Sequence, residues 1–146
     1  MSNRRSIIED RSFLFAIIII KTYKCLVDKE KEYILSKQLV RNGTAIGALV
    51  REAQNAESTK DLIHKLSIAQ KECDETIYWV DLLKITKYLN DTVSKDLTSE
   101  AMELLKMIKS AILTSKKKLI PSNSSLLTTV PSSLSSYISR NFRLCQ

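Results

Sequence analysis

The sequence predicts an all-helical domain, and three observations carry that reading. Two glycines and two prolines in 146 residues are too few for a β fold, which needs turn residues at short, regular intervals. Ser58 to Asn90 contains neither residue, and its apolar or small side chains recur at Leu62, Leu66, Ala69, Cys73, Thr76, Val80 and Leu83. Steps of three and four keep that stripe on one face of a helix. Finally, Ser58 and Asp61 form an S-x-x-D helix start, whose hydroxyl and carboxylate satisfy first-turn N–H groups. A helix of this length, about 50 Å, needs partner helices to bury its stripe, and the flanking sequence supplies three.

Helix 1 is expected from about Ser6 to Val27. Phe13, Ile17 and Ile20 form one face, and Leu14, Ile18 and Tyr23 or Cys25 extend onto the flank. A helix apolar over this much of its circumference is buried on two sides, by the monomer core and by either a subunit partner or further helices of the same chain. The eight apolar residues FLFAIIII are closed by Arg11 and Lys21. A membrane span needs about 20, so neither a span nor a signal peptide is expected. The charged DKEKE run connects to helix 2, expected from Ser36 to Ala53 with Leu35, Leu39, Ile46, Leu49, Val50 and Ala53 inward. Gly43 and Gly47 lie mid-helix at about 1 kcal/mol each against Ala. Four apart and beside Ala48, they form a strip that lets another helix approach closely.

After the long helix 3, a polar turn is expected through Asp96. Helix 4 then starts near Thr98, with Ala101, Leu105, Ile108 and Ile112 inward and Met102 and Leu113 beside them. It ends at Lys116, Lys117 and Lys118, cations at the negative end of the helix dipole. The domain is therefore expected over residues 1–118. Residues 119–146 are Ser-rich with scattered hydrophobes and read as a flexible tail, in which Leu134, Tyr137, Ile138, Phe142 and Leu144 could form a short docking helix.

The chemistry in the sequence points away from catalysis. His64 is the sole histidine, so one chain assembles neither a His-based metal site nor a Ser-His-Asp triad. No metal, cofactor or small-molecule substrate is expected. Glu72, Asp74 and Glu75, with Glu52 on helix 2, are carboxylates without a nucleophile or a Gly-rich phosphate loop. Ion pairs with Arg51, Lys71 or Arg41 account for them. Adjacent Tyr78 and Trp79 must point to different faces, one to the core and one to the rim. Cys25, Cys73 and Cys145 are an odd, widely spaced set, which argues for a reducing, cytoplasmic compartment.

The formal charge is +7 and the pI about 9.4. That balance favours anionic partners such as nucleic acid, and equally fits a helical protein with solvated Lys-rich faces. Candidates for phosphate contact are Lys60, Lys65, Lys71, Lys84, Lys87 and Lys116 to Lys118. With no groove-reading element, binding is expected to be sequence-independent. Candidates for a self-association face are Phe13, Leu14, Ile18, Ile19, Gly43 and Gly47.

The stretch GTAIGALVREAQNAESTKDLIHKLSIAQKECDETIYWVDLL, Gly43 to Leu83, resembles the signature of small bacterial four-helix-bundle proteins. These are named after open reading frames in the intervening sequences of 23S ribosomal RNA genes. With FAIIIIKTYK and helix 4 the likeness spans about residues 10 to 118. It departs at Ala45 and at Leu49-Val50, where Ser and Asn-Val or Asn-Ile would be expected. The resemblance implies an antiparallel up-down-up-down bundle assembling as a homopentamer. A related branch serves diversity-generating retroelements as a basic pentamer that binds reverse transcriptase and nucleic acid. It implies no catalytic residues. Two functions follow as expectations: a nucleic-acid-binding accessory factor, or a protein-interaction scaffold without nucleic acid.

Overall fold

The computed structural model describes residues 6–120. Four helices follow one another: α1 (Ile7–Asp28), α2 (Leu35–Gln54), α3 (Thr59–Ile85) and α4 (Asp91–Leu119). Each start is satisfied locally. The Ser6, Ser58 and Asn90 side chains accept the N–H of Glu9, Asp61 and Val93 at 3.4, 3.1 and 2.8 Å, which removes one orphan donor from each first turn. α2 has no such neighbour. The Glu32 carboxylate instead reaches across its first turn, accepting from the N–H groups of Ile34, Leu35 and Ser36 at 3.0, 2.9 and 2.6 Å.

The helices pack in chain order, each against the next, with α1 also touching α4 more lightly. Residue pairs across the seams run in opposite directions: Ser12 lies by Gly47 but Ile19 by Gly43, and Lys65 pairs with Glu52 whereas Trp79 reaches Asn42. Likewise Arg11 pairs with Glu100 while Ile8 shares a recess with Lys106 and Ala111. The bundle is therefore antiparallel and up-down-up-down. Its core is one cluster that includes Phe15, Ile19, Leu39, Ile46, Val50, Cys73, Val80, Leu104 and Ile108. Buried hydroxyls of Ser12, Ser36, Thr76 and Ser94 do not go unpaired. Each donates to the carbonyl three or four residues earlier in its own chain, at 2.7–3.0 Å, as small hydroxyls in helices commonly do.

The α3 stripe is as expected, from Leu66 through Leu83, and three elements differ. On α1 the inward residues are Ser12, Phe15, Ile19 and Leu26, while Phe13 and Ile20 of the expected face are exposed and Ile17 is half-buried, because both phases are apolar in sequence and packing on α2 selects one. α3 stops at Ile85 rather than Asn90. There Lys87 turns left-handed, with φ of 68°, and the N–H groups of Tyr88 and Lys87 bond the carbonyls of Leu83 and Lys84 at 2.9 and 3.0 Å. That is the Schellman helix stop, made here without glycine. Third, α4 begins at Asp91, seven residues before Thr98, and buries Ser94 and Leu97 in its first turns. Along α4 the inward residue is Leu104, with Leu105 half-buried. α4 ends at Leu119, one residue past the expected domain end, and the Ser-rich segment expected to be a flexible tail lies outside the described residues except for Leu119 and Ile120.

Candidate functional site

The densest polar cluster is the α2–α3 seam. Asn42, buried among apolar neighbours, donates from Nδ2 to Oε2 of both Glu72 and Glu75 at 2.6 Å and accepts the indole N–H of Trp79 on Oδ1 at 3.1 Å. The chemistry fixes the amide orientation, since a flipped amide would set N–H against N–H and oxygen against carboxylate. Glu75 also pairs with Lys71 at 3.4 Å. Trp79 is half-buried, and the exposed Tyr78 meets it edge to face at 5.0 Å between ring centroids. The sequence shows Asn42 in the apolar phase of α2, between Leu39 and Ile46, which is the one signal that would have found this hub.

Glu52, one of the carboxylates for which Arg51, Lys71 or Arg41 is the expected partner, pairs instead with Lys65 at 2.9 Å, and Arg51 approaches Glu9 at 3.6 Å. His64 and Asp74 face solvent. Cys73 is buried at the core, and desolvation, with Asp74 and Glu72 nearby, pushes its thiol up to about 12, so it is no nucleophile near neutral pH. Among the described residues no group of three or more His, Cys, Asp or Glu side chains could hold a metal ion, and no helix is long and apolar enough to cross a membrane.

The apolar residues of α1 divide. Ile19 and Gly43, expected on a face between subunits, belong to the interior: Ile19 is 0% exposed and occupies the space beside Gly43. Gly47 is half-buried under the backbone of Ser12. Outward lie Ile7, Phe13, Leu14, Ile18 and Ile20, with Leu14 at 58% and Ile18 at 43% exposure. They cover more than half of the outer circumference of α1. Because α1 rests only lightly on α4, a recess of about 290 Å³ opens there, with Ile18 and Thr22 opposite Val93 and Leu97.

The structure does not bring the eight candidate lysines together. Lys65, Lys71 and Lys84 are each paired to a different carboxylate, Glu52, Glu75 and Asp91, at 2.9, 3.4 and 3.9 Å. Lys84 and Lys87 lie at one end of the bundle, sharing a recess with Lys21. Lys60 opens α3 at the other end, where antiparallel packing also puts the last turn of α4 with Lys116, Lys117 and Lys118. Arg4, Arg5, Arg140 and Arg143 are the only charged residues outside 6–120 and account for four of the seven net positive charges. The remaining three are the net charge of residues 6–120 as a whole. Arg4 and Arg5 directly precede α1, which starts at that same end.

These features match known proteins. Residues 4–110 match the family described as 23S rRNA-intervening sequence protein. A crystal structure of a protein of unknown function from the S23 ribosomal protein family of Bacteroides thetaiotaomicron is 42% identical. It covers 73% of this chain and 98% of its own, with a TM-score of 0.72. No curated protein matches the chain.

Proposed function

The chain belongs to the 23S rRNA-intervening sequence protein family, and from that premise we propose that it is a non-enzymatic, self-assembling bundle that holds nucleic acid at its basic end. The observation that carries the reading is the run of three lysines, Lys116 to Lys118, that closes α4 at the end where Lys60 and the start of α1 also lie. Self-assembly through the outer face of α1, into a ring of five in the form the resemblance implies, repeats that end around one axis. Several weak phosphate contacts then act as one strong footprint. The retroelement branch of the resemblance supplies a reverse transcriptase as the protein partner to test.

The test is a titration of labelled single- and double-stranded RNA and DNA across a salt series. Binding is expected at low salt with little sequence preference, and log affinity should fall with log salt by about 0.7–0.9 per phosphate neutralised. Charge reversal at Lys116, Lys117 and Lys118 should flatten that slope, whereas Lys71→Glu, whose ammonium already faces Glu75, should change it little. No binding at low salt would leave the second reading, a protein-interaction scaffold, which the apolar outer face of α1 favours on its own.

A further inference from the structure

A ring built on the outer face of α1 needs two unlike surfaces on each copy, since a face that meets only itself closes a pair. Between α1 and α2 lies a recess of about 900 Å³ that takes up the α2-side flank of that outer face. Its floor is apolar, with Ala16 and Ile20 from α1 and Gly47 and Ala48 from α2. Its rim is acidic in balance. Arg51 and Lys65 are paired to Glu9 and Glu52, which leaves Glu57 and Asp61 as the net charge of the rim.

The surface that matches this groove lies on α4. Lys95, Ser99, Met102, Lys106 and Lys109 follow one another by four, three, four and three, one row of a helix. All five are exposed, and the row carries no carboxylate. One turn beyond Met102, Lys106 and Lys109 diverge to its two sides, on stems long enough to bring an ammonium to a groove rim. The row cannot enter the groove of its own chain, because it faces away from the core and α2 and α4 do not touch.

The levels of the two surfaces agree. Gly47 lies by Ser12. Along the α1–α4 seam Ile8 shares a recess with Lys106 and Ala111, and Ile18 shares one with Val93 and Leu97. Ser12, between Ile8 and Ile18, is therefore about level with Met102. Rotation about an axis parallel to the helices preserves height. It brings Met102 of one copy over the Gly47–Ala48 floor of another, with Lys106 and Lys109 toward the end of the groove that holds Glu57 and Asp61.

We propose that each copy seats the outer row of its α4 in the α1–α2 groove of the next, head to tail, with Met102 on the floor and Lys106 and Lys109 toward the rim carboxylates. The inference rests on the self-assembly proposed above and names its two surfaces. Contact is needed only as far as Lys109, which leaves Lys116 to Lys118 at the end of the assembly for nucleic acid.

The experiment uses the full chain with Cys25→Ser, Cys145→Ser, Ala48→Cys and Met102→Cys. Positions 48 and 102 are both exposed, so neither change touches the core. A control protein carries Asp74→Cys, on the exposed side of α3, in place of Met102→Cys. A soluble disulfide oxidant is added, products are sized without reductant, and links are mapped by mass spectrometry. The expected result is a ladder of two, three and more chains joined by 48–102 links, formed about tenfold faster than 48–74 links because the contact holds the thiols together. Lys106→Glu/Lys109→Glu should slow the 48–102 link severalfold. A 48–102 rate equal to the control, a product that stops at two chains, or no response to the charge reversal would overturn the proposal. Light scattering on the parent separates the two failures: an oligomer leaves self-assembly standing without this contact, and the mass of a single chain overturns both.

Discussion

The side chain of Ile19 occupies the space a Cβ on Gly43 would need: both of its γ carbons lie 2.8 Å from that position. Those carbons branch directly from Cβ and cannot swing away as the end of a long side chain would. The helix-propensity penalty of this mid-helix glycine, about 1 kcal/mol, is thus offset by an α1–α2 approach that no other residue permits. Gly43→Ala should lower stability by about 1–2 kcal/mol, since overpacking of about 1–3 kcal/mol outweighs the propensity gain. In the double variant with Ile19→Ala the two losses should fall well short of additive. Thermal melts followed by circular dichroism decide it, and a Gly43→Ala protein more stable than the parent would refute the packing account.

Lys87 holds a left-handed backbone, φ 68°, at the close of α3. A non-glycine residue there carries about 1 kcal/mol of strain or more. Lys87→Gly should therefore stabilise the protein by about 0.5–1 kcal/mol, while Lys87→Val should destabilise it, because a β-branched residue tolerates positive φ poorly. Denaturant melts of the two variants must bracket the parent for this assignment to stand.

How far the sequence determined this outcome can be seen at these same positions. The α3 stripe was legible because its apolar residues occupy only one phase. The inward face of α1 was not, because Phe13, Ile17 and Ile20 compete with Phe15 and Ile19 in an almost uniformly apolar run, and only the glycine strip of α2 breaks the tie. The end of α3 was hidden for a different reason: its stop is a backbone conformation adopted by Lys87, with no Gly or Pro to announce it. The beginning of α4 is hidden behind it, since Asn90 is an ordinary N-cap residue and the sequence before it carries no Gly or Pro to end α3. Fold class is set by periodicity, which none of these differences alters. The contact surfaces depend on which flank of a helix faces out, and that is decided by packing.

Asn42 ties Trp79 to two carboxylates, so its loss leaves the indole N–H of the half-buried Trp79 without that partner and puts Glu72 and Glu75 side by side. Asn42→Ala should destabilise by about 1–3 kcal/mol. Asn42→Asp should be worse at pH 7, because a third carboxylate is added to a half-buried pair. The folded state raises the pKa of that aspartate, so the penalty grows as pH rises above its unfolded value of about 4 and shrinks on acidification. Urea midpoints compared between pH 4 and 7 test it. A penalty independent of pH would show that the carboxylates do not meet at residue 42.

Glu32 gives the opposite sign. Burial pushes its carboxyl up, but the N–H groups of Leu35, Ser36 and Ile34 together outweigh that and hold it below its ordinary value of 4.5. Its folded pKa is lowered, so the stabilisation is complete above that ordinary value and is lost as pH falls through the lowered one. Glu32→Gln should reduce stability near neutral pH and narrow its gap to the parent in acid. Parallel gaps at every pH would mean that the charge of the carboxylate is irrelevant to the α2 start.

Adjacent isoleucines separate folding from assembly. Ile19 is fully buried and Ile18 is 43% exposed beside Leu14, one step apart on the same helix. A glutamate at position 19 would enter the core unpaired, at several kcal/mol, and should abolish the cooperative melt. A glutamate at position 18 stays in water in a single chain and becomes costly only where that face meets another copy. Ile18→Glu should therefore keep the helical signal and cooperative melting while the mass by light scattering falls from an oligomer to that of one 16.6 kDa chain. Leu14→Glu should do the same. If parent and Ile18→Glu have the same mass, the outer face of α1 does not mediate assembly, and its apolar surface requires another occupant.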